Sequence, residues 1–308
     1  MTSPSTKLTV VIVNWNAGDQ LMACIRSLQS EFPAIVIDNG STDGSCNSIE
    51  QLENVTLIAV GQNLGFAKAC NLGAKHANSE YVLFLNPDAA VFPNTISHSL
   101  QAMDAREHAQ VGICGVQLAN ARGKIERSCA RFPTPGRLVA QSLGLDRLFK
   151  RLSHLMIEWP HNSIRQVDQV MGAYFLVRKA IFDKLGGFDE RFFLYFEEVD
   201  LSYRARQSGW KSLYLADAQA FHKGGGTSNQ IKARRLFYIM RSRILYADKH
   251  FSRPGSWTVI ASTFLLEPLS RSALTLSRRS WSELKETWQG YAMLWQWFRL
   301  WVSKGITR

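Results

Sequence analysis

Glu197, Glu198 and Asp200 stand directly behind Phe192-Phe193-Leu194-Tyr195-Phe196, a run of five residues of which four are aromatic. A carboxylate beside apolar surface is costly unless it is paired, protonated or used. Desolvation raises the pKa of such a group towards neutral pH, where it can take a proton from a hydroxyl. Asp200 has a cation at i+4, Arg204, and all three acids open an expected helix over 197–209, where negative charge favours the helix dipole. Asp200 therefore reads as structural. The plainer alternative is a helix N-terminus without chemistry.

Other polar residues gather behind apolar runs. Strands are expected over 8–13, 34–37, 55–60 and 81–85, and each ends in a polar turn: Asn14 to Asp19, Asp38 to Gly44, Gly61 to Gly65, and Asn86-Pro87-Asp88. Leu21, Ile25 and Leu28 carry helical spacing between the first two. Alternating strands and helices predict an α/β fold with a mainly parallel, Rossmann-like sheet flanked by helices. In such sheets ligands sit beyond the carboxyl ends of the strands, so one crevice would collect Asn16, Asp38, Asp43, Asn63 and Asp88. Asn, Asp, Gly and Ser are also ordinary turn formers, and that reading competes at each cluster.

In order along the chain, "VVIVNWN", "VIDNGSTDG", "NLGFAKACNLG", "YVLFLNPDA", "GAYFLVRKAIFDKLGGFDERFFLYFEEVDLSYRARQSGW" and "FHKGGGTS" resemble the large inverting family-2 glycosyltransferases of GT-A fold. The chain is most similar to their bacterial rhamnosyltransferase-like branch. The likeness covers roughly residues 7–250. It implies a glycosyltransferase domain over 1–250, with a nucleotide-sugar half over about 1–118 and an acceptor half over about 119–250, followed by a helical region over 251–308. On the same resemblance Val13, Asn14, Asn16 and Asp38 bracket the base and ribose of a nucleotide-sugar donor, with Asn63 and Lys68 nearby. Asn86-Pro87-Asp88 takes the place of the family's D-x-D motif, with Asn86 on the donor and Asp88 as ligand to Mg²⁺ or Mn²⁺. His222 is implied as a second ligand or a phosphate contact. Glu198 falls where the family's general base falls, as Glu in place of the usual Asp, and Glu197 is the alternative base. The mechanism implied is a single in-line displacement with inversion. A nest of backbone N–H groups at Gly224-Gly225-Gly226-Thr227-Ser228 is a further candidate for the diphosphate. The chain has no Walker-A spacing and no G-x-G-x-x-G behind a strand, which argues against kinase and dinucleotide readings.

The 46% apolar and 11% aromatic content argue for a folded chain throughout. Five scattered cysteines with no C-x-x-C pair speak against a disulfide framework or zinc site and for a reducing compartment. "LTVVIV" is too short for a signal peptide, so the first residues are expected to belong to the fold. All of the net charge of +11 falls in residues 223–308, where 15 basic side chains face 4 acidic ones. A basic amphipathic helix is expected over 231–251, with Leu236, Ile239, Met240 and Ile244 on one side. From Trp281 the positions Trp281, Leu284, Trp288, Tyr291, Trp295, Phe298 and Val302 recur with helical spacing. Trp on an amphipathic, basic helix is the pattern of an interfacial membrane helix; a helix packed on the domain or a homodimer seam is the alternative. Residues 257–266 carry no charge but are too few to span a bilayer. Nucleic acid is not expected as a partner, because no binding motif accompanies the basic block.

The expectation is a metal-dependent, peripheral glycosyltransferase on the cytoplasmic face of the bacterial cell membrane. It would move a sugar, by the branch-level resemblance L-rhamnose from dTDP-rhamnose, to a lipid-linked or polysaccharide acceptor. The competing reading is a catalytically silent nucleotide-sugar-binding or membrane scaffold protein.

Overall fold

The run Leu8–Asn14 is buried at every position, as a strand covered on both faces requires. The computed structural model describes residues 7–49, 51–224 and 231–307. The first half holds β1 (Leu8–Asn14), α1 (Asp19–Ser27), β2 (Ala34–Asp38), β3 (Val55–Ala59), α2 (Phe66–Lys75), β4 (Tyr81–Leu85), β5 (Ala89–Val91), α3 (Thr95–Asp104), β6 (Val111–Ala119) and β7 (Cys129–Ala130). Then come α4 (Pro135–Ser142), α5 (Leu145–Leu148), β8 (Arg165–Val167), β9 (Gln169–Val170), β10 (Tyr174–Arg178), α6 (Lys179–Lys184), α7 (Glu197–Gln207) and β11 (Lys211–His222). The chain finishes with α8 (Lys232–His250), α9 (Arg253–Ala261), α10 (Glu267–Ser277) and α11 (Trp281–Lys304).

A nine-stranded sheet has the order β3-β2-β1-β4-β10-β6-β11-β5, with β8 on β11. Strands β1, β2, β3, β4, β6 and β11 run one way; β10, β5 and β8 run the other. The sheet is thus mainly parallel, as expected, and the carboxyl ends of β1, β2, β3 and β4 lie along one edge. A Cβ on Gly73 would lie 2.4 Å from Val11 Cγ1, so a glycine is what lets α2 lie directly on β1. All five cysteines are free thiols.

The chain forms two compact units. The first is Met1–Arg131, Trp159–Glu190 and Glu197–Thr227; the second is Phe132–Glu158, Arg191–Phe196 and Ser228–Arg308. Helix α8 belongs to the second because its buried side, which includes Met240, Ile244 and Leu245, packs against α11 and α9. The aromatic run ahead of α7 belongs there too: Phe193 stacks on Tyr238 at 4.9 Å between ring centroids, and Phe196 meets Tyr246 at 5.5 Å.

The long final helix departs from the expected pattern. Its buried stripe is Thr287, Gly290, Tyr291, Leu294 and Trp297. Gly290 sits where a Cβ would come 3.1 Å from the Ala233 carbonyl, so α11 and α8 approach closely. Trp281, Trp288, Trp295 and Val302, spaced by seven, are each more than half exposed. The positive charge is also less free than its sequence suggests. Arg241 and Arg243 are buried; Arg241 lies over the rings of Phe193, Phe237 and Tyr238, and Arg243 pairs with buried Glu267. Arg271 Nε holds the other Glu267 oxygen at 2.8 Å.

Burial pushes the Glu267 carboxyl up, but the charges of Arg243 and Arg271 outweigh it and hold the group below the usual carboxylate range. A depressed folded-state pKa gives stability that is present above the ordinary carboxylate range and lost as pH falls through the depressed value. Glu267→Gln is expected to cost about 3–5 kcal/mol of unfolding free energy at neutral pH, because it strands a buried guanidinium. Denaturant unfolding at neutral and acid pH measures it, and the gap between variant and wild type should close as pH falls.

Candidate active site

At the sheet's carboxyl edge, Asn14 and Asp38 are register partners across β1 and β2. Asn14 is fully buried, and its Nδ2 lies 2.8 Å from Ser45 Oγ, 2.9 Å from Ser41 Oγ and 3.3 Å from Asp38 Oδ1. Asn16 takes a positive φ of 51° and its Oδ1 accepts from the Thr42 N–H at 2.8 Å. Asn63 Oδ1 accepts from Asn39 Nδ2 at 3.0 Å and from the Gly65 N–H at 2.9 Å. A Cβ on Gly40, which has φ +78°, would lie 2.9 Å from the Gln62 backbone, so the loops after β2 and β3 touch. Three strand-end loops are therefore laced into one rim. In it Asn14, Asn16 and Asn63 tie loop to loop, while Asp38 Oδ1 accepts from the Ser41 N–H at 3.2 Å. Val13 is buried and pairs with Ile37; Lys68 lies partly buried in the first turn of α2.

The next strand end builds a second cluster. After β4 the chain turns at Asn86-Pro87-Asp88: the Asn86 N–H donates to the Ala173 carbonyl at 3.1 Å, and the Lys223 N–H donates to the Asp88 carbonyl at 3.0 Å. Strand β11 pairs with β5 so that His222 lies opposite Ala89. This brings His222 Nε2 to 3.5 Å from Asp88 Oδ1, while His222 Nδ1 lies 3.0 Å from Glu126 Oε2. Burial works against a charged imidazole, but the hydrogen bonds and charges of Asp88 and Glu126 outweigh it and raise the His222 pKa above its ordinary value. Sequence reasoning missed Glu126: it lies on an ordinary polar loop after β6, and nothing near it in the chain points to His222. Gly225 to Ser228, most of the candidate phosphate nest, lie outside the described residues.

Among the described residues no group of three or more His, Cys, Asp or Glu side chains forms a ready metal cage. The donor set at this turn is nonetheless suited to a divalent ion. Mg²⁺ and Mn²⁺ in phosphate chemistry are commonly held by one or two protein ligands with substrate oxygens completing the shell. Asp88 offers a hard oxygen and His222 a nitrogen beside it.

The third element is the N-terminus of α7. Tyr195 and Phe196, immediately before it, have φ of 68° and 71°, a left-handed conformation that bulky residues rarely take. Asp200, fully buried, is paired with Arg204 Nε at 2.7 Å, and Arg204 also donates to the Leu185 and Gly187 carbonyls. Its role is structural, as its spacing implied. Glu197 and Glu198 are different. Glu197 Oε2 and Glu198 Oε2 are buried with no hydrogen-bond partner among the described residues. Glu197 lies in the interior, where its charge bears on Cys70 of α2. The side chain of Glu198 lies over Gly172, whose added Cβ would meet its Cγ at 3.9 Å. Burial raises both carboxyl pKa values, and the charge of Glu198 adds to the rise at Glu197.

Comparison with known proteins gives the class of protein that this fold belongs to. Residues 9–186, more than half of the chain, match the model of glycosyl transferase family 2. The chain belongs to that family, and to its rhamnosyltransferase branch. It is 30% identical over 315 residues to an N-acetylglucosaminyl-diphospho-decaprenol L-rhamnosyltransferase of Mycobacterium tuberculosis, covering 91% of this chain and 98% of that protein. It is 24% identical to the rhamnosyltransferase WbbL of Escherichia coli K12, over 80% of this chain and 97% of that one. Among solved structures it resembles a mannosyltransferase from Pyrobaculum calidifontis in complex with GDP-Man and Mn²⁺, with TM-score 0.55, 16% identity, and 98% of this chain and 83% of that chain covered. It also resembles Staphylococcus aureus TarS with UDP-GlcNAc, with TM-score 0.54, 16% identity, and 94% and 80% covered. These neighbours share its fold, which is GT-A.

The two acids separate by substitution. Glu198→Gln is expected to lower turnover by about 10²–10⁴-fold with nucleotide binding intact. Glu197→Gln is expected to raise the thermal midpoint at neutral pH, because the charged form is what burial penalises. Near-normal turnover in Glu198→Gln would move the base to Glu197. The acid limb of the wild-type rate profile should rise with pH above the ordinary carboxylate range, since a base must be deprotonated and this one resists deprotonation.

Proposed function

We propose that the protein is an inverting glycosyltransferase that moves L-rhamnose from dTDP-rhamnose to a lipid-linked glycan acceptor in cell-surface glycan biosynthesis. The observation that carries the proposal is a single backbone stretch, Gly172-Ala173. It packs on Glu198 through Gly172 and hydrogen-bonds the turn that bears Asp88 through the Ala173 carbonyl. A proton acceptor and a diphosphate-side carboxylate are thereby held on one rigid frame, as displacement at an anomeric carbon requires. The sugar and the acceptor are inferred from the M. tuberculosis relative, an L-rhamnosyltransferase of N-acetylglucosaminyl-diphospho-decaprenol.

Glu198 takes the proton from the acceptor hydroxyl as its oxygen attacks the anomeric carbon. The bond to the diphosphate oxygen breaks on the opposite face, and its electron pair leaves with the nucleoside diphosphate. No covalent intermediate is needed, and the configuration inverts. Asp88 and His222 would hold Mg²⁺ or Mn²⁺, which supplies positive charge against the diphosphate. Glu126 fixes the ring of His222 so that its Nε2 faces Asp88. Asp38, on the laced rim, accepts from the imide N–H of thymine or from a ribose hydroxyl, and Asn86 and Lys68 line the donor side.

A lipid-linked acceptor calls for a chain held at a membrane. Among the described residues no helix is long and apolar enough to cross one. The exposed Trp281, Trp288 and Trp295 of α11 suit peripheral attachment to the inner face of the cell membrane, with their apolar bodies in the headgroup region.

Binding and turnover across dTDP-rhamnose, UDP-glucose, UDP-galactose, UDP-GlcNAc and GDP-mannose with Mg²⁺ or Mn²⁺ test the donor. Preference for dTDP-rhamnose is expected; preference for another donor would replace the sugar, and no binding to any would leave a scaffold protein. Chelator is expected to stop transfer, and full activity in EDTA would remove the metal role of Asp88. Trp288→Ser with Trp295→Ser is expected to release the chain from vesicles without unfolding it, because neither indole belongs to the buried stripe of α11.

A further inference from the structure

We propose that residues 143–152 form a second bilayer-docking element, apart from the C-terminal helices. In it Leu148 and Phe149 enter the headgroup layer while Arg147, Lys150 and Arg151 bind the phosphates of anionic lipids. The inference rests on the membrane reading above and adds to it the lipid charge that is recognised.

After α4 the chain reverses at Gly144, φ +73°, makes the single turn α5 and a tighter turn over Lys150–Leu152. Six consecutive residues, 147–152, are exposed, and Leu148 and Phe149 are 74% and 59% exposed. Single exposed apolar side chains are ordinary; adjacent ones at the tip of a turn, with Leu143 and Leu152 also exposed, form a patch that calls for a partner. The patch is anchored: α5 packs on α4, and α4 packs on α9 and the widened turn Ser262–Leu266. It is therefore built into the same unit as α11.

Charge decides the occupant. Arg147, Lys150 and Arg151 make no ion pair among the described residues, so three exposed cations flank the apolar tip, the pairing that anionic lipid headgroups attract. A two-fold seam with a second copy would bring the same three cations against themselves, which opposes association. A nucleic acid would leave Leu148 and Phe149 in water. An anionic bilayer takes both halves of the pattern.

The test is sedimentation of the full chain with vesicles of phosphatidylcholine, alone or mixed with phosphatidylglycerol. Three variants are compared: Arg147→Gln/Lys150→Gln/Arg151→Gln, Leu148→Ser/Phe149→Ser, and Trp288→Ser/Trp295→Ser. Wild type should prefer the anionic vesicles. The triple Gln variant should lose that preference by on the order of 100-fold, since each surface cation is worth roughly fivefold. The Leu148/Phe149 variant should bind both vesicles at least about tenfold more weakly. Thermal transitions and donor binding equal to wild type show that the variants are folded. If the Leu148/Phe149 and triple Gln variants bind like wild type while the Trp variant is released, this inference falls and the α11 reading stands. If wild type binds no vesicle, both fall. A concentration-dependent dimer that either 147–151 variant abolishes would make the segment a seam between copies and overturn the inference. Hydrogen exchange of wild type gives an independent readout: protection of 143–152 by anionic vesicles supports the element, and unchanged exchange refutes it.

Discussion

The turn at Asn86-Pro87-Asp88 leaves the ladder of β4 and must satisfy its backbone polar groups elsewhere, because buried N–H and C=O groups are costly when unpaired. It does so in two directions. The Asn86 N–H reaches the Ala173 carbonyl at the start of β10, and the Asp88 carbonyl receives the Lys223 N–H at the end of β11. Each bond brings chemistry with it. Ala173 carries Gly172 and so the packing surface of Glu198; Lys223 carries His222, and His222 carries Glu126. Side chains separated by more than a hundred residues thus meet because one turn needs two backbone partners. A Cβ at 172 would meet the Glu198 side chain at 3.9 Å, an ordinary van der Waals contact.

Three acids share the first turn of α7 and have three fates. Asp200 is fully buried yet inexpensive, because Arg204 neutralises it and ties it to the Gly186-Gly187 turn. Glu197 and Glu198 lack such a partner among the described residues, and burial holds both towards the protonated form. Tyr195 and Phe196 add left-handed backbone just upstream, at roughly 1–3 kcal/mol for each such residue. Stability is given up at this helix N-terminus, which sits beside the candidate reaction frame. The rings of Phe193 and Phe196 pack on α8, while the charge of Glu197 bears on Cys70 and the side chain of Glu198 lies over Gly172.

Much of this was legible in the sequence, for identifiable reasons. Continuous apolar runs such as Tyr81–Leu85 have one physical interpretation when turn residues bound them, and the observed β4 has those limits. The Asp200–Arg204 pair followed from helical spacing alone. What was not legible depends on contacts distant in sequence. Glu126 has no local mark, since its partner lies 96 positions away. The family resemblance puts Asn14, Asn16 and Asn63 at the donor; that their amides also lace the strand-end loops together is something composition does not carry. In α11 the apolar positions fall on two faces. The 3,4 spacing merged them into one stripe, whereas packing on α8 selects Gly290, Tyr291 and Leu294 and leaves the seven-residue series of Trp outside.

The same sorting explains the charge of the C-terminal region. A count of cations treats Arg241, Arg243, Arg271 and the lysines as equivalent, but burial divides them. Arg241 is covered by aromatic rings, and Arg243 and Arg271 share Glu267, so these side chains hold helices together and are not free to meet an anionic partner. The remaining exposed cations lie among exposed indoles and aliphatic side chains on the same unit, including Trp257, Leu265 and Leu269 of the α9–α10 region. A nucleic acid gains little from the exposed Leu265 and Leu269, which its bases and phosphates leave as a solvation cost. A bilayer interface accepts both, since apolar groups enter its hydrocarbon boundary while cations stay with the phosphates. The buried ion network and the exposed mixed surface therefore do separate jobs: the first fixes how α8, α10 and α11 pack, and the second is what that packing presents.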